Sequence, residues 1–215
     1  MKQKLTAMLL LMTAALLSAC AAQPAPAQSE APAQSGTSAQ DSTAQSENAA
    51  PESPVLSNET GFPDLMQFEA AALDGSRYSN ADLASADVTV INLWGTFCGP
   101  CISEMPEIAA FQQKLPENVH LITCCVDVSA ADEAGIRTAE SILNEAGYTG
   151  ITLVSPTGDL LTLCNQMMYV PTTVFLDSQG HLLGEAIIGA GNVSENYTAH
   201  INAALRAMGK DELAF

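Results

Sequence analysis

Two cysteines separated by two residues, Cys98 and Cys101, stand where a predicted strand gives way to a predicted helix. The apolar run 88–94 is rich in β-branched residues and bounded by polar ones, which is typical of a buried strand. After Gly95 the pattern becomes that of an amphipathic helix, so the pair falls on its first turn. The unpaired N–H groups and positive dipole end of a helix stabilise a thiolate, which favours a redox role for Cys98.

The composition limits which classes of function are reasonable. The chain has 215 residues, with 7 Lys+Arg against 24 Asp+Glu and a formal net charge of −17. Such an acidic surface argues against binding to nucleic acid and against electrostatic docking to anionic lipid. The length suits one globular domain with appended segments.

Residues 1–19 have the pattern of a lipoprotein signal peptide. Lys2 and Lys4 precede the apolar stretch 5–17, which is too short to be a stable membrane anchor. The tetrad Leu-Ser-Ala-Cys20 resembles the lipobox of bacterial lipoproteins, in which the cysteine is lipidated and becomes the first residue of the mature chain. We therefore expect a lipid on Cys20 and a location on the extracytoplasmic face of a bacterial cell membrane. An ordinary cleaved signal peptide is the alternative.

Residues 20–58 are predicted to be a disordered tether, and residues 59–215 a globular domain. Ala, Gln, Ser, Pro and Glu dominate the tether, with almost nothing large and apolar before Val55. Such a segment cannot bury enough apolar surface to offset the entropy lost on ordering. Its reach as a flexible chain is on the order of 35 Å.

The domain alternates short strands and helices. A hairpin is expected around Asp74-Gly75, and within the helix that carries the cysteines Ile102, Met105 and Ile108 recur at core spacing. The remaining predicted elements are a strand 119–128, a helix 131–147, a strand 151–154, a helix 159–168, two strands 172–176 and 182–188 joined by a turn, and a final helix to about 208. Parallel crossovers combined with a terminal antiparallel hairpin indicate the α/β class, with a central mixed sheet flanked by helices.

This pattern resembles thioredoxin, and more closely the TlpA/ResA-like extracytoplasmic thioredoxins. The matching segments are Trp94-Gly-Thr-Phe-Cys-Gly-Pro-Cys101, followed by Glu104 and Pro106, and then Val170-Pro-Thr-Thr-Val-Phe-Leu-Asp177. The resemblance covers residues 60–210. It implies a thioredoxin-like fold with an N-terminal hairpin extension and a strand–helix insertion at 131–154. It also implies a cis Pro171 packed against a Cys98–Cys101 disulfide.

In that context the two cysteines have different roles in thiol–disulfide exchange. Cys98, the more exposed, is expected to attack a substrate disulfide, and Cys101, one turn further on, to resolve the mixed disulfide. Gly99 and Pro100 provide no cation that would stabilise the thiolate. This favours a low reduction potential, and therefore a reductant over an oxidant.

Two nearby positions bear on proton transfer. Asn92 occupies the position where many thioredoxins have a buried, titratable Asp. Glu104 is then the nearest proton acceptor for Cys101, and the resemblance supports an acidic residue there. The alternative is that Glu104 lies on the surface and interacts only with the dipole of the first helical turn.

The substrate is expected to contact residues on both sides of the disulfide. Val170 should offer its backbone to an extended substrate segment, a form of strand addition in which main-chain bonds give affinity with little sequence selectivity. Trp94 and Phe97 are expected to shield the disulfide and to form an apolar docking surface, with plain core packing as the alternative. The full predicted set is Trp94, Phe97, Gly99, Pro100, Val170 and Pro171.

Three further cysteines, Cys124, Cys125 and Cys164, leave two interpretations open. Neighbours on a strand point to opposite faces, so Cys124 and Cys125 should not bond to each other. All three can be small hydrophobic core residues. Alternatively, Cys164 forms a second redox pair with one of the other two.

No metal and no cofactor are predicted. Zinc would need two more ligands at suitable spacing, and His120, His181 and His200 cluster with nothing.

The expected partners are disulfide-containing extracytoplasmic client proteins and a membrane electron donor of the CcdA type, with the chain itself a monomer. Two alternatives remain: a non-catalytic thioredoxin-like lipoprotein that binds a partner peptide or a metal, and a dedicated electron donor to a peroxide or methionine-sulfoxide reductase instead of to apocytochromes.

Overall fold

The computed structural model describes Leu56, Asn58 and residues 60–215. The predicted signal peptide, the predicted lipidation site Cys20 and the rest of the predicted tether lie outside the described residues. Leu56 packs against the hydrophobic core, and its carbonyl accepts a hydrogen bond of 3.3 Å from the amide of Gly184. No helix in the described part of the chain is long and apolar enough to cross a membrane.

The described residues form one mixed sheet with helices on both faces. The sheet has the order β2-β1-β5-β4-β3-β6-β7. The interior strand β3 runs parallel to β4 and antiparallel to β6. The elements are β1 (Glu69–Ala72), β2 (Arg77–Ser79), a 3-10 helix (Asn80–Ser85), β3 (Val88–Trp94), α1 (Gly99–Gln112), β4 (Val119–Cys125), α2 (Glu133–Ala146), β5 (Thr152–Val154), α3 (Gly158–Gln166), β6 (Thr172–Asp177), β7 (Ile187–Ile188) and α4 (Val193–Ala207).

The sheet separates two hydrophobic cores. Every residue of β3 is buried, as expected of a strand covered on both faces. One core includes residues of α1, α2 and α4, and the other includes residues of α3 and the 3-10 helix. This layering is the predicted thioredoxin-like α/β architecture, with the β1–β2 hairpin and the α2–β5 insertion extending one side of the sheet.

Two local predictions are corrected by the structure. Ile102 is not a core residue: it is 37% exposed, because the inward face of α1 includes Cys101, Met105 and Ile108, at the spacing i, i+4, i+7. The strand predicted at 182–188 is reduced to Ile187–Ile188. Gly184 has a φ of 73°, which interrupts the extended chain.

Candidate active site

Cys98 and Cys101 are joined by a disulfide at the N-terminus of α1, with an S–S distance of 2.08 Å. Cys98 is the N-cap of the helix, and its sulfur accepts a hydrogen bond of 3.2 Å from the amide of Cys101. Pro100 fits the first turn because the N–H it lacks would have no partner within the helix. The helix therefore presents an N–H donor to the Cys98 sulfur, where a thiolate would form on reduction.

The two sulfurs differ in access to solvent. Cys98 is 6% exposed and Cys101 is fully buried, while Gly99 and Pro100 beside them are exposed. A substrate disulfide can therefore approach Cys98 but not Cys101. This asymmetry fits the predicted roles of an attacking and a resolving cysteine.

The loop that precedes β6 reaches the disulfide from the other side. The Val170–Pro171 peptide bond is cis, as the resemblance implied. The carbonyl oxygen of Val170 lies 3.5 Å from the Cys98 sulfur. The hydroxyl of Thr172 donates a hydrogen bond of 2.7 Å to the carbonyl of Tyr169, which fixes the loop. The fold thus brings the two motifs of the sequence into contact.

Four exposed apolar side chains are neighbours of this contact, either along the chain or through the pairing of β6 with β7. We call them the apolar rim: Phe97, Met168, Tyr169 and Ile188. Phe97 is 72% exposed and Met168 is 82% exposed. Trp94, by contrast, is completely buried, so it contributes no docking surface and that part of the prediction is wrong. The strand that carries Trp94 lies between two neighbouring strands and is covered on both faces.

A buried polar cluster lies beneath the site, formed by Asn92, Glu104, Thr173 and Tyr197. The side-chain amide of Asn92 lies within hydrogen-bonding distance of the other three: 3.4 Å from the Glu104 carboxylate, 3.0 Å from the Thr173 hydroxyl and 3.2 Å from the Tyr197 hydroxyl. The Thr173 and Tyr197 hydroxyls are 2.8 Å apart. The cluster ties β3, β6, α1 and α4 together.

Burial has the largest effect on the pKa of the Glu104 carboxyl. Desolvation raises the pKa of its carboxyl to about 7, against the opposing effect of hydrogen bonds from Asn92 and from the backbone of Gly191. Glu104 is only 9% exposed, so the alternative of a surface residue that serves the helix dipole is wrong. A carboxyl one helical turn beyond Cys101 that titrates near neutral pH is suited to exchange protons with a thiol. Its role as acceptor for Cys101 stays a prediction.

Sequence reasoning did not identify Tyr197 as part of this cluster. It lies on the last helix, 105 residues from Asn92, and nothing in the local pattern connects the two. Thr173 could have been found, because it pairs with Asn92 across β3 and β6. Predicting that pairing would have required the strand register.

A second interaction, also not predicted, fixes the loop between β3 and Cys98. The amide of Thr96 donates to the carboxylate of Asp127 at 2.9 Å, and the Cys125 thiol donates to the same carboxylate at 3.2 Å. Desolvation and the contact with Asp127 raise the pKa of Cys125. Cys125 is therefore a protonated, structural thiol.

Within the part of the chain that the structure describes, no three His, Cys, Asp or Glu residues are grouped so as to hold a metal ion.

The substitution Glu104→Gln is expected to change how stability depends on pH. The stabilising contribution of the neutral carboxyl is complete below pH 4.5 and is lost as the pH rises to about 7. Between pH 5 and 8 the variant should therefore gain up to about 3 kcal/mol in free energy of unfolding relative to the wild type. Urea unfolding across this range measures the difference. The exposed Glu140→Gln is the matched control, and an equal pH dependence in Glu104→Gln and wild type would contradict the prediction.

Comparisons with known proteins agree with this architecture. The redoxin family model matches residues 31–200. Similar solved structures include a thiol:disulfide interchange protein of the thioredoxin family from Chlorobium tepidum TLS, 20% identical with a TM-score of 0.54 over 66% of this chain and 95% of that one. A DsbF homologue from Corynebacterium diphtheriae is 20% identical, with a TM-score of 0.54 over 75% of this chain and 99% of that one. A secreted Mycobacterium tuberculosis disulfide oxidoreductase homologous to E. coli DsbE is 18% identical, with a TM-score of 0.52 over 64% of this chain and 96% of that one. These structures share the fold.

Proposed function

The chain belongs to the redoxin family and is a thioredoxin-like thiol–disulfide oxidoreductase, and we propose that it reduces disulfides in client proteins outside the cytoplasm. One observation carries the proposal. The Cys98 sulfur lies at the accessible end of a helix, 3.5 Å from the Val170 carbonyl, with Cys101 buried beneath it. A client segment that lies along Val170 would present its disulfide to Cys98.

The reaction consumes the two thiols of the reduced enzyme. The Cys98 thiolate attacks one sulfur of the client disulfide, and the other sulfur leaves as a thiolate that takes up a proton. Cys101 then loses its proton to Glu104 and attacks the Cys98 sulfur. The second client sulfur leaves and is protonated, and the Cys98–Cys101 disulfide remains. Two electrons pass to the client, and a membrane donor of the CcdA type restores the dithiol.

The residues between the two cysteines support a reducing direction of electron flow. The residues between the cysteines, Gly99 and Pro100, carry no positive charge, so they add nothing to the stabilisation of the thiolate by the helix N-terminus. A less stabilised reduced form has a lower reduction potential. These properties support a reductant.

The proposed location is the extracytoplasmic face of a bacterial membrane, with the domain held by a lipid on Cys20. The lipobox-like tetrad that ends at Cys20 supports this, and one similar structure is described as a secreted disulfide oxidoreductase. The tether would let the domain turn toward a membrane donor and toward its clients.

The substitution Cys101→Ser tests the function. Without the resolving thiol, the mixed disulfide on Cys98 should accumulate, because only external thiols can then release the client. The full chain carrying Cys101→Ser is expressed in a bacterium, alkylated and purified, and its disulfide-linked partners are identified by mass spectrometry before and after reduction. Cys125→Ser, which leaves both active cysteines in place, is the matched control.

The outcome also separates the alternatives. Trapped partners on Cys98 support client reduction, and a single trapped peroxide or methionine-sulfoxide reductase would indicate a dedicated electron donor. If nothing is trapped and the wild type also fails to reduce insulin with dithiothreitol, the chain is a non-catalytic binding protein and the proposal is wrong.

A further inference from the structure

The attacking residue Cys98 closes a tight turn that follows β3. Its amide donates a hydrogen bond of 3.0 Å to the carbonyl of Gly95, so the chain turns across Thr96 and Phe97 before α1 begins. The Phe97 ring lies over Gly95, where an added Cβ would come within 2.7 Å of it. The same turn therefore sets the positions of a rim residue and of the attacking sulfur.

One carboxylate, that of Asp127, holds the middle of this turn. The Thr96 amide donates to one of its oxygens at 2.9 Å, and the Thr96 hydroxyl donates to the other at 2.5 Å. Asp127 lies just beyond the end of β4, where the amide of Val126 donates a hydrogen bond of 2.9 Å to the carbonyl of Trp94. The segment after β4 therefore anchors the turn at two points, through its main chain and through the carboxylate.

The Asp127 side chain brings a negative charge to the turn. Desolvation opposes its ionisation, but the hydrogen bonds, chiefly those from Thr96, outweigh that effect and hold the pKa of the Asp127 carboxyl below its ordinary value. None of the ion pairs within the described residues involves Asp127. The carboxylate therefore keeps its charge, and it is bonded to a residue only two positions before Cys98.

We propose that Asp127 is a positioning residue for the thiol–disulfide reaction, which holds the turn that presents Cys98 and disfavours the Cys98 thiolate through its charge. This role rests on the proposed function, because it concerns the same sulfur. Without the two hydrogen bonds, Thr96 and the sulfur that follows it could move relative to the Val170 carbonyl, which now lies 3.5 Å from that sulfur. A small displacement of a reacting atom is enough to slow a reaction strongly.

The charge acts in the direction of a reductant. Like charges repel, so a carboxylate near the turn lowers the fraction of Cys98 that is thiolate. A less stable thiolate makes the dithiol less stable relative to the disulfide, and the two electrons are then given up more readily. Asp127 would thus add to the effect of Gly99 and Pro100, which offer the thiolate no positive charge.

Two variants separate the hydrogen bonds from the charge. In Asp127→Asn the charge is lost, but the side-chain oxygen can still accept from the Thr96 amide, and the NH2 group can donate to the Thr96 hydroxyl. Asp127→Ala removes both. Asp132→Asn is the matched control, because Asp132 is an exposed carboxylate after the same strand that accepts from the Gly135 amide, and Asn also caps a helix.

Alkylation of the reduced full chain by iodoacetamide at low ionic strength measures the thiolate. The tryptic peptide 78–114 contains Cys98 and Cys101 and no other cysteine, and tandem mass spectrometry assigns the modified one. In the pH range where the rate still rises with pH, Cys98 should react about three- to tenfold faster in Asp127→Asn than in the wild type. In Asp132→Asn the gain should be less than about twofold, because that carboxylate does not contact the turn.

Two further measurements use the same proteins. The equilibrium of Asp127→Asn with glutathione should shift toward the dithiol by a factor similar to the gain in alkylation rate. Insulin reduction should be at least about tenfold slower in Asp127→Ala than in the wild type, but should stay within about threefold in Asp127→Asn, which keeps the hydrogen bonds. Circular dichroism checks folding, and Asp127→Asn keeps the proposal testable if the alanine variant does not fold.

The results that would overturn the proposal are distinct from those that concern the proposed function. Equal alkylation rates in Asp127→Asn and wild type, or an equal gain in Asp132→Asn, would overturn the effect of the charge. A wild-type rate of insulin reduction in Asp127→Ala, or equal losses in both Asp127 variants, would overturn the positioning by hydrogen bonds. If the wild type does not reduce insulin, the proposed function is wrong, and the alkylation rates still decide whether Asp127 controls the thiolate.

Discussion

Replacement of Cys98 by serine is expected to lower the rate of insulin disulfide reduction by at least about 10³-fold, because it removes the attacking sulfur. A serine hydroxyl at the same helix N-terminus would accept the Cys101 amide hydrogen bond, so the fold should survive. Insulin turbidity in the presence of dithiothreitol measures the rate, with the uncatalysed reaction subtracted. Far-UV circular dichroism checks that the variant is folded.

The matched control for Cys98→Ser is Cys125→Ser, a substitution in the same hydrophobic core that leaves the active pair intact. It should keep activity within a few-fold of the wild type. Because Cys101 is fully buried, Cys98→Ser should not be rescued by direct attack from Cys101. Activity above about a tenth of the wild-type rate in Cys98→Ser would mean that another thiol is the nucleophile.

Gly158→Ala is expected to cause the largest loss of stability among single alanine substitutions of glycine, about 3–4 kcal/mol in free energy of unfolding. Gly158 begins α3 with a φ of 61°, and a Cβ at this position would lie 2.1 Å from the backbone carbonyl oxygen of Gln67. Neither the segment that leads into β1 nor helix α3 can move away without breaking hydrogen bonds between the two, among them Asp159 N–H to Gln67 O at 2.8 Å. Urea unfolding at pH 7 measures the loss.

Gly147→Ala provides the control for Gly158→Ala. Gly147 has a φ of 75° at the end of α2, but a Cβ there meets nothing within 4 Å. This variant should therefore lose only about 1 kcal/mol, the cost of the left-handed backbone for a non-glycine residue. Equal losses in the two variants would show that the close approach to Gln67 is relieved by movement of the chain.

The sequence was sufficient to predict those parts of the fold that depend on local patterns. The continuous apolar run of β3 indicated a buried strand, and the helix predicted at 131–147 corresponds to α2, which Asp132 caps and Gly147 ends. The site around Cys98 and Cys101 could be assembled because two separated motifs resemble one family. The cis Pro171 followed from that resemblance, whereas the approach of the Val170 carbonyl to Cys98 is a finding of the structure.

The remaining features depend on tertiary contacts that no local pattern encodes. Trp94 was expected at the surface because of its position beside the motif, but the pairing of β3 with two neighbouring strands buries it. Tyr197 joins the cluster around Asn92 only because α4 packs against α1. The exposure of Met168 likewise depends on how the loop after α3 leaves the core, which its apolar character does not reveal.

The adjacency of Cys124 and Cys125 on β4 has a consequence for how disulfides are kept in place. The sheet separates the two hydrophobic cores, and the active disulfide belongs to the same core as Cys125. Cys124 and Cys164 cannot attack that disulfide in the folded chain, because the sheet would have to open first. Cys125 could approach it, but its thiol is held by Asp127 and its raised pKa keeps it protonated and unreactive. The folded domain therefore protects its own disulfide from internal scrambling by the three free thiols of the described residues.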